Sequence, residues 1–332
     1  MWVLPAQREC RPTARKDGEM SALDQAGQSE ANLPPARFPL TGAQAAVLFH
    51  TELTGSTQDD LTALWEAGRI PDFTVMVADD QTAGRGRSGR RWFSAAGRSL
   101  LVSVLVEVPE SVEEHVALLT LIGAAAARSA INTCTDRDAA LLSWPNDVVV
   151  RVPEPRKVAG VLGEFCGRRD GKIACVIGLG ANLSLEADEL PTPTSASLAT
   201  AGLPVPTRDE VAAAWLQGLR ERIDALVEAG DPVASGLIDE VNACCETLRP
   251  GITVGRPRAT PLTGTGREIL ADGSLDMVTD DGPVVVTSGE VSLLGRMERA
   301  AGPEQHTPPI GHHVSRHHKA IQWSQSSRGK ES

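Results

Sequence analysis

Apolar positions along this chain recur with two different periods, and the switches between them outline the fold. From Ser99 to Glu107 the period is two: Val102, Val104 and Val106 mark one face, while Leu101 and Leu105 share the other with Ser103 and Glu107. That alternation predicts a strand. Phe73–Ala78 is a shorter apolar run that stops at Asp79-Asp80, as a strand end does. Between Glu113 and Asn132 the spacing becomes helical, through Val116, Leu119, Ile122 and Ala126. Asp147–Val152 and Lys157–Phe165 read as two strands joined by the turn Pro153-Glu154-Pro155, and Lys172–Asn182 as another strand. Thr207-Arg208-Asp209-Glu210 is a capping-box pattern, and Val211, Trp215, Leu219 and Ile223 line one side of the helix it opens. Strands and helices interleave without a regular βαβ repeat. The expected class is therefore α/β (α+β), a mixed sheet with helices packed on it.

Near residue 250 the texture changes to short β-rich pieces separated by Asp272-Gly273 and Asp281-Gly282, both tight-turn signals. This stretch predicts a small SH3-like β-barrel over 249–297, too small to be stable alone and expected to dock on the larger domain, 43–248. Residues 1–42 and 298–332 lack periodicity and are rich in Pro, Gln and Ser, so both are expected to be disordered. The pairs His312-His313 and His317-His318 in the second tail have metal-catching chemistry, though an unstructured tail is the simpler reading.

Charge and composition narrow the function classes. The 332 residues carry a formal net charge of −11, which argues against a general nucleic-acid surface and makes a local arginine cluster more informative. There is no Tyr, so the core rests on aliphatic residues with six Trp and five Phe as anchors. The six cysteines show no CxxC pair or zinc spacing and read as reduced thiols. No stretch is read as approaching the about 18 apolar residues of a membrane span, and Met1–Leu4 is too short for a secretory core. A cytoplasmic protein with no membrane partner is expected.

Four segments carry chemistry. Gly84-Arg85-Gly86-Arg87-Ser88-Gly89-Arg90-Arg91-Trp92, preceded by Gln81, sets three glycines among four arginines. The glycines let backbone approach a ligand closely, and guanidinium groups meet phosphate or carboxylate in bidentate fashion. It is neither a dinucleotide fingerprint nor a P-loop, because it follows Asp79-Asp80 rather than opening a helix and lacks the Gly-Lys-Ser/Thr ending. A solvated arginine-glycine loop is the alternative. Trp144-Pro145-Asn146-Asp147 puts two oxygen-bearing side chains at a strand start, where Asp147 can hold Mg2+ or a ribose hydroxyl. If the strands on either side of 153–155 form a hairpin, Lys157 returns beside Asn146 and Asp147 with the point charge that a phosphate oxyanion needs. Otherwise the motif is a turn with an apolar anchor. Gly178-Leu179-Gly180-Ala181-Asn182 leaves room for a flat ligand or for a second backbone. Gly55-Ser56-Thr57-Gln58 offers donors and acceptors to a neutral polar ligand, or simply caps a helix.

Taken together and in order, these segments resemble the biotin protein ligase family over about residues 44 to 297. The marks are Ser56-Thr57, the Gln81–Trp92 loop, Trp144-Pro145-Asn146-Asp147, Lys157-Val158-Ala159-Gly160-Val161-Leu162 with Glu164, Ile177-Gly178-Leu179-Gly180-Ala181-Asn182, and Gly289-Glu290-Val291-Ser292-Leu293. The resemblance implies a class II synthetase-like catalytic domain with a C-terminal SH3-like barrel. It implies that biotin and MgATP give biotinyl-5′-AMP, and that a lysine of the biotin carboxyl carrier protein domain of an acyl-CoA carboxylase then takes the biotin. Lys157, Arg85 and Arg87 are its catalytic residues. Biotin falls to Ser56, Thr57, Gln58, Gln81, Gly84, Arg85, Gly86, Arg87, Lys157 and Gly160. ATP falls to Arg87, Arg90, Trp92, Asn146, Asp147, Lys157 and Asn182, with Asp147 the candidate Mg2+ ligand. One departure is Ser143, where family members commonly carry Lys before Trp-Pro-Asn-Asp. No helix-turn-helix precedes residue 44, so no DNA partner or repressor role is expected. Residues 184 to 197 are expected to include a loop that orders over the adenylate. A monomer and a homodimer fit equally. A lipoate-protein ligase and a non-catalytic biotin or adenylate sensor are the alternative readings.

Overall fold

A computed structural model describes residues 37–256 and 259–292. The expected disorder of residues 1–36 and 298–332, the two histidine pairs included, lies outside them. Seven strands form the first sheet: β1 (Val47–Thr54), β2 (Thr74–Gln81), β3 (Ser99–Pro109), β4 (Ala140–Ser143), β5 (Asp147–Arg151), β6 (Pro155–Arg169) and β7 (Lys172–Asn182). Their order is β1-β2-β3-β7-β6-β5-β4. β1 and β2 are parallel and every other neighbouring pair is antiparallel, so the sheet is mixed as expected. β6 and β7 turn at Asp170-Gly171, where both residues take positive φ (52° and 73°), the backbone a tight hairpin requires.

Helices cover both faces. α2 (Thr57–Glu66) packs Leu61 and Trp65 against Met76, Leu105, Ala174 and Val176. The larger core lies on the other face, where α3 (Leu119–Thr135) and α4 (Arg208–Ala229) cover Val102, Val104 and Val106 of β3. The alternation read along β3 thus sends Val102, Val104 and Val106 into one core and Leu105 into the other. The helical run Glu110–Thr135 has a mean hydropathy of 1.4 over its most apolar window, so, contrary to the sequence reading, one stretch does match a membrane span by length and composition. Its burial against the sheet and α4 accounts for that apolarity.

α4 begins with the predicted reciprocal cap: Glu210 N–H donates to Thr207 Oγ1 (3.2 Å) and Thr207 N–H to Glu210 Oε2 (2.8 Å). Val211, Trp215 and Leu219 are wholly buried, and Trp215 Nε1 donates to the Gly123 carbonyl of α3 at 3.0 Å. Asp209 fixes a short helix that sequence reading missed, α1 (Pro39–Gln44), by accepting from Leu40 N, Thr41 N and Thr41 Oγ1. Residues 39–42, expected to belong to a disordered extension, are therefore helical. Free N–H groups at the start of α1 find a carboxylate 168 residues away, a pairing no local pattern announces.

After α5 (Leu237–Cys244), a second sheet contains β8 (Ile252–Arg256), β9 (Ala259–Ile269), β10 (Leu275–Thr279), β11 (Gly282–Val286) and β12 (Glu290–Val291) in the antiparallel order β11-β10-β9-β8-β12. Both predicted Asp-Gly turns are present, with Gly273 and Gly282 at positive φ. Ile252, Val254, Ile269, Leu275 and Met277 join the main core, and Trp144 Nε1 donates to the Gly273 carbonyl (2.8 Å). The two sheets thus share one core.

Trp215→Ala is expected to lower the unfolding free energy by about 3–5 kcal/mol. Urea denaturation measures this; a loss below about 1 kcal/mol would contradict the packing described.

Candidate functional site

β2 ends at Gln81, and the chain then doubles back as a finger. Gly86 N–H donates to the Arg90 carbonyl (2.8 Å), Trp92 N–H donates to the Gly84 carbonyl (2.9 Å), and Arg85 bridges Arg91. Ser88 and Gly89 form its tip at positive φ. A Cβ on Gly84 would lie 2.8 Å from the Trp92 carbonyl, so only glycine lets the finger close. The expected solvated-loop alternative gives way to a hydrogen-bonded hairpin.

Opposite the finger stands the start of α2. Ser56 occupies the N-cap position, but its side chain makes no capping bond. Gln81 takes that role from outside the helix, its Oε1 accepting from Thr57 N–H at 2.8 Å. Thr57 Oγ1 also meets Ser103 Oγ at 2.7 Å. Gln58 turns inward, where its amide donates to the Leu162 carbonyl (3.0 Å). Gly178 makes that possible, since a Cβ there would sit 3.0 Å from the Gln58 amide carbon. Gln58, expected to touch ligand, commits its Nε2 to the sheet and also lines a narrow cleft. Ser56, Thr57, Gln81 and Trp92 line the same cleft, of about 30 Å³, which opens toward a larger cavity of about 680 Å³ bounded by Arg87, Arg90, Asn146, Asp147, Lys157 and Asn182. Trp92, Arg85 and Gly160 line both.

The hairpin inferred from Asp147–Val152 and Lys157–Phe165 exists. Val149 pairs with Lys157 and Asp147 with Gly160. This register brings Lys157 Nζ to 2.7 Å from Asp147 Oδ1 and 5.3 Å from the centre of the Trp92 ring. The contact with Asp147 is Coulombic rather than an aligned hydrogen bond, because Oδ1 has no hydrogen-bond donor. Ser143, in the position where a lysine was expected, is buried and pairs with Asp147 in the ladder. Gly160 and Gly180 are also register partners. A Cβ on Gly180 would lie 2.3 Å from the Trp92 ring, and one on Gly160 3.1 Å from it. The glycine pair therefore seats the Trp92 indole.

The remaining cations have distinct partners. Arg87 donates to Asn146 Oδ1 (3.1 Å) and approaches the Gly289 carbonyl (3.4 Å), and burial pulls its pKa below the usual guanidinium value. Arg90 pairs with Glu290. Arg85, which lines both the cleft and the larger cavity, is already paired: its guanidinium holds Glu164 and, at 2.9 Å, Asp59. Asn182 donates to the Ala196 carbonyl (3.1 Å), while its Oδ1 and Trp92 Nε1 are buried without partners. Such orphaned groups are where a polar ligand gains most. Within 184–197, the Lys157 N–H donates to the Thr194 carbonyl (2.8 Å) and Ala196 N–H to the Lys157 carbonyl (2.9 Å). Thr192, Thr194 and Ser195 thereby become a wall of the larger cavity.

The sequence does not single out Asp59, and it shows Glu164, Gly289 and Glu290 only as marks of the family, without the contacts they make in the fold. Glu164 was visible as a charge in an apolar strand, and Gly289 as a glycine with no turn to make. A Cβ on Gly289 would meet Val254 at 2.6 Å. Among the described residues no three His, Cys, Asp or Glu side chains cluster as a metal site. The five described cysteines form no disulfide.

Residues 51–182 match the biotin/lipoate A/B protein ligase family. The chain is 31% identical over 243 residues to the biotin–[acetyl-CoA-carboxylase] ligase of Mycobacterium tuberculosis, spanning 73% of this chain and 86% of that protein. A bifunctional ligase/repressor of Bacillus spizizenii is 31% identical over 156 residues, 47% of this chain and 46% of that protein. Among solved structures, a biotin protein ligase from Aquifex aeolicus in complex with biotin and ATP superposes with a TM-score of 0.60 at 25% identity, covering 74% of this chain and 97% of that one. With the arginine-glycine finger, the Asn146-Asp147 strand start and Lys157 gathered at one cavity, the chain belongs to the biotin protein ligase branch of the biotin/lipoate ligase family.

Proposed function

We propose that this chain joins biotin to ATP, forming biotinyl-5′-AMP and pyrophosphate, and then passes the biotinyl group to a lysine of a biotin carboxyl carrier domain of an acyl-CoA carboxylase in the cytoplasm. The observation that carries this is the position of Lys157, whose ammonium lines the larger cavity beside Trp92 and Gly160, the residues that cavity shares with the narrow cleft. In the first step a biotin carboxylate oxygen bonds to the α-phosphorus of ATP as the bond to pyrophosphate breaks. In the second, an acceptor amine attacks the acyl carbon, AMP departs, and the amine gives up a proton. Two anions meet in the first step, so cationic shielding and positioning dominate over protein nucleophilicity.

The residues divide accordingly. Ser56, Thr57 and Gln81 receive the ureido ring in the cleft, with Gly84, Gly86 and Gly160 giving close backbone approach. Arg87 and Lys157 face the carboxylate and α-phosphate, and Arg90, Asn146 and Asn182 serve the nucleotide. The indole of Trp92 lines both the cleft and the larger cavity, beside the place where the two substrates would meet. Lys157 is held by Asp147 until phosphate offers a stronger partner. Mg2+, when bound, shields the phosphate charges. Asp147 is a single carboxylate already facing Lys157, a donor set that suits an ion carried chiefly by nucleotide phosphates. We read the five-stranded second sheet as an SH3-like barrel whose Gly289-Glu290 corner backs the finger through Arg87 and Arg90.

Lys157→Ala is expected to lower biotin-dependent exchange between ATP and pyrophosphate by about a hundredfold or more. Its unfolding midpoint should stay near wild type; normal exchange would remove Lys157 from the mechanism. Gly180→Ala, which drives a methyl into the indole seat, should raise the KM for biotin about tenfold in the same assay. An unchanged KM would mean that the Trp92 seat does not shape the biotin site. Exchange that depends on lipoate and not on biotin would overturn the substrate assignment.

A further inference from the structure

We infer that Glu164 and Asp59 are positioning residues, which hold Arg85 as a strap across the site, and that the Arg85 guanidinium does not itself bind a ligand anion. This rests on the biotin ligase reading above. The strap joins three elements. Arg85 belongs to the finger, Asp59 to the first turn of α2 beside Gln58, and Glu164 to β6, two residues beyond the Leu162 carbonyl that anchors Gln58. One guanidinium nitrogen, Nη2, meets both carboxylates. The finger and the start of α2 are the two sides of the narrow cleft, so this contact sets the cleft's width.

Charge arithmetic separates Arg85 from its neighbours. It has two carboxylates for one positive charge, so its local surroundings are already net negative. A biotin carboxylate that captured Arg85 would leave Asp59 and Glu164 facing each other without their cation. Those two already repel, and burial pushes the Glu164 carboxyl above its ordinary range while Arg85 pulls it back. Arg87 instead donates to the neutral Asn146 side chain, and Lys157 faces one carboxylate, so these two have charge to offer a ligand. The Arg85 side chain is 38% exposed, as suits a tie at the rim of the cleft.

The test uses the full chain and two readouts. One is amide hydrogen exchange of residues 84–91 without ligand. The other is KM for biotin against kcat in ATP–pyrophosphate exchange. Glu164→Gln and Asp59→Asn should each speed amide exchange in the finger and raise the biotin KM by about fivefold, with kcat within about twofold of wild type. The decisive variant exchanges charges, Arg85→Glu with Glu164→Arg, in an Asp59→Asn background that removes a new repulsion. Recovery of amide protection and of KM to the level of Asp59→Asn alone supports the strap. If protection recovers while KM does not, Arg85 binds ligand and the inference is overturned. If Glu164→Gln leaves finger protection unchanged, the strap does not exist. A wild type without biotin-dependent turnover contradicts the ligase reading instead, and the finger's amide exchange then decides the strap by itself.

Discussion

One register across the first sheet governs the site. Reading across the strands, Asp147 pairs with Gly160, Gly160 with Gly180, Gly180 with Leu101, and Leu101 with Ala78. This row puts a carboxylate, two side-chain-free positions and two core anchors in line. A slip of one residue in β6 would send every side chain of that strand to the opposite face. Lys157 would leave Asp147, and the seat for Trp92 would be filled by Ala159 or Val161. Both faces of the sheet are packed, so that slip is strongly opposed: β3 alone feeds Val102 and Val104 into one core and Leu105 into the other. Core packing is thus what holds the Lys157 ammonium beside Asp147.

Polar groups around that row follow from it. With the glycines fixed, the Trp92 indole lies over them as a lining of both the cleft and the larger cavity, and its Nε1 is left buried without a partner. Asn182, at the end of β7, is left with an unpaired oxygen in the same region. A folded protein keeps few such groups, because each one costs stability when nothing pairs with it. Their concentration at the cavity, together with Lys157 and the partly buried Arg87, gives the site its preference for a ligand with both polar and anionic parts.

What the sequence disclosed and what it withheld divide by distance along the chain. The Thr207–Glu210 cap, the Asp-Gly turns, the strand Lys172–Asn182 and the hairpin that returns Lys157 to Asp147 are all set by residues within a few positions or one turn of each other. Local propensity and periodicity suffice for these. The helix at Pro39–Gln44 depends on Asp209 in α4, the inward turn of Gln58 on a carbonyl 104 residues away, and the placement of Arg87 on one 202 residues away. Arg85 and Arg87 each follow a glycine in the finger and read alike in the sequence; only the folded sheet brings Glu164, 79 residues later, to Arg85.

The chemistry ascribed to the cavity joins biotin covalently to another protein, and mass spectrometry of that acceptor tests it most directly. A purified carrier domain of an acyl-CoA carboxylase, incubated with the full chain, biotin and ATP, should gain one biotinyl group on a single lysine, and none when ATP is omitted. A carrier that stays unmodified while the chain binds biotin, or that gains only a lipoyl group when lipoate is offered as well, would contradict the account.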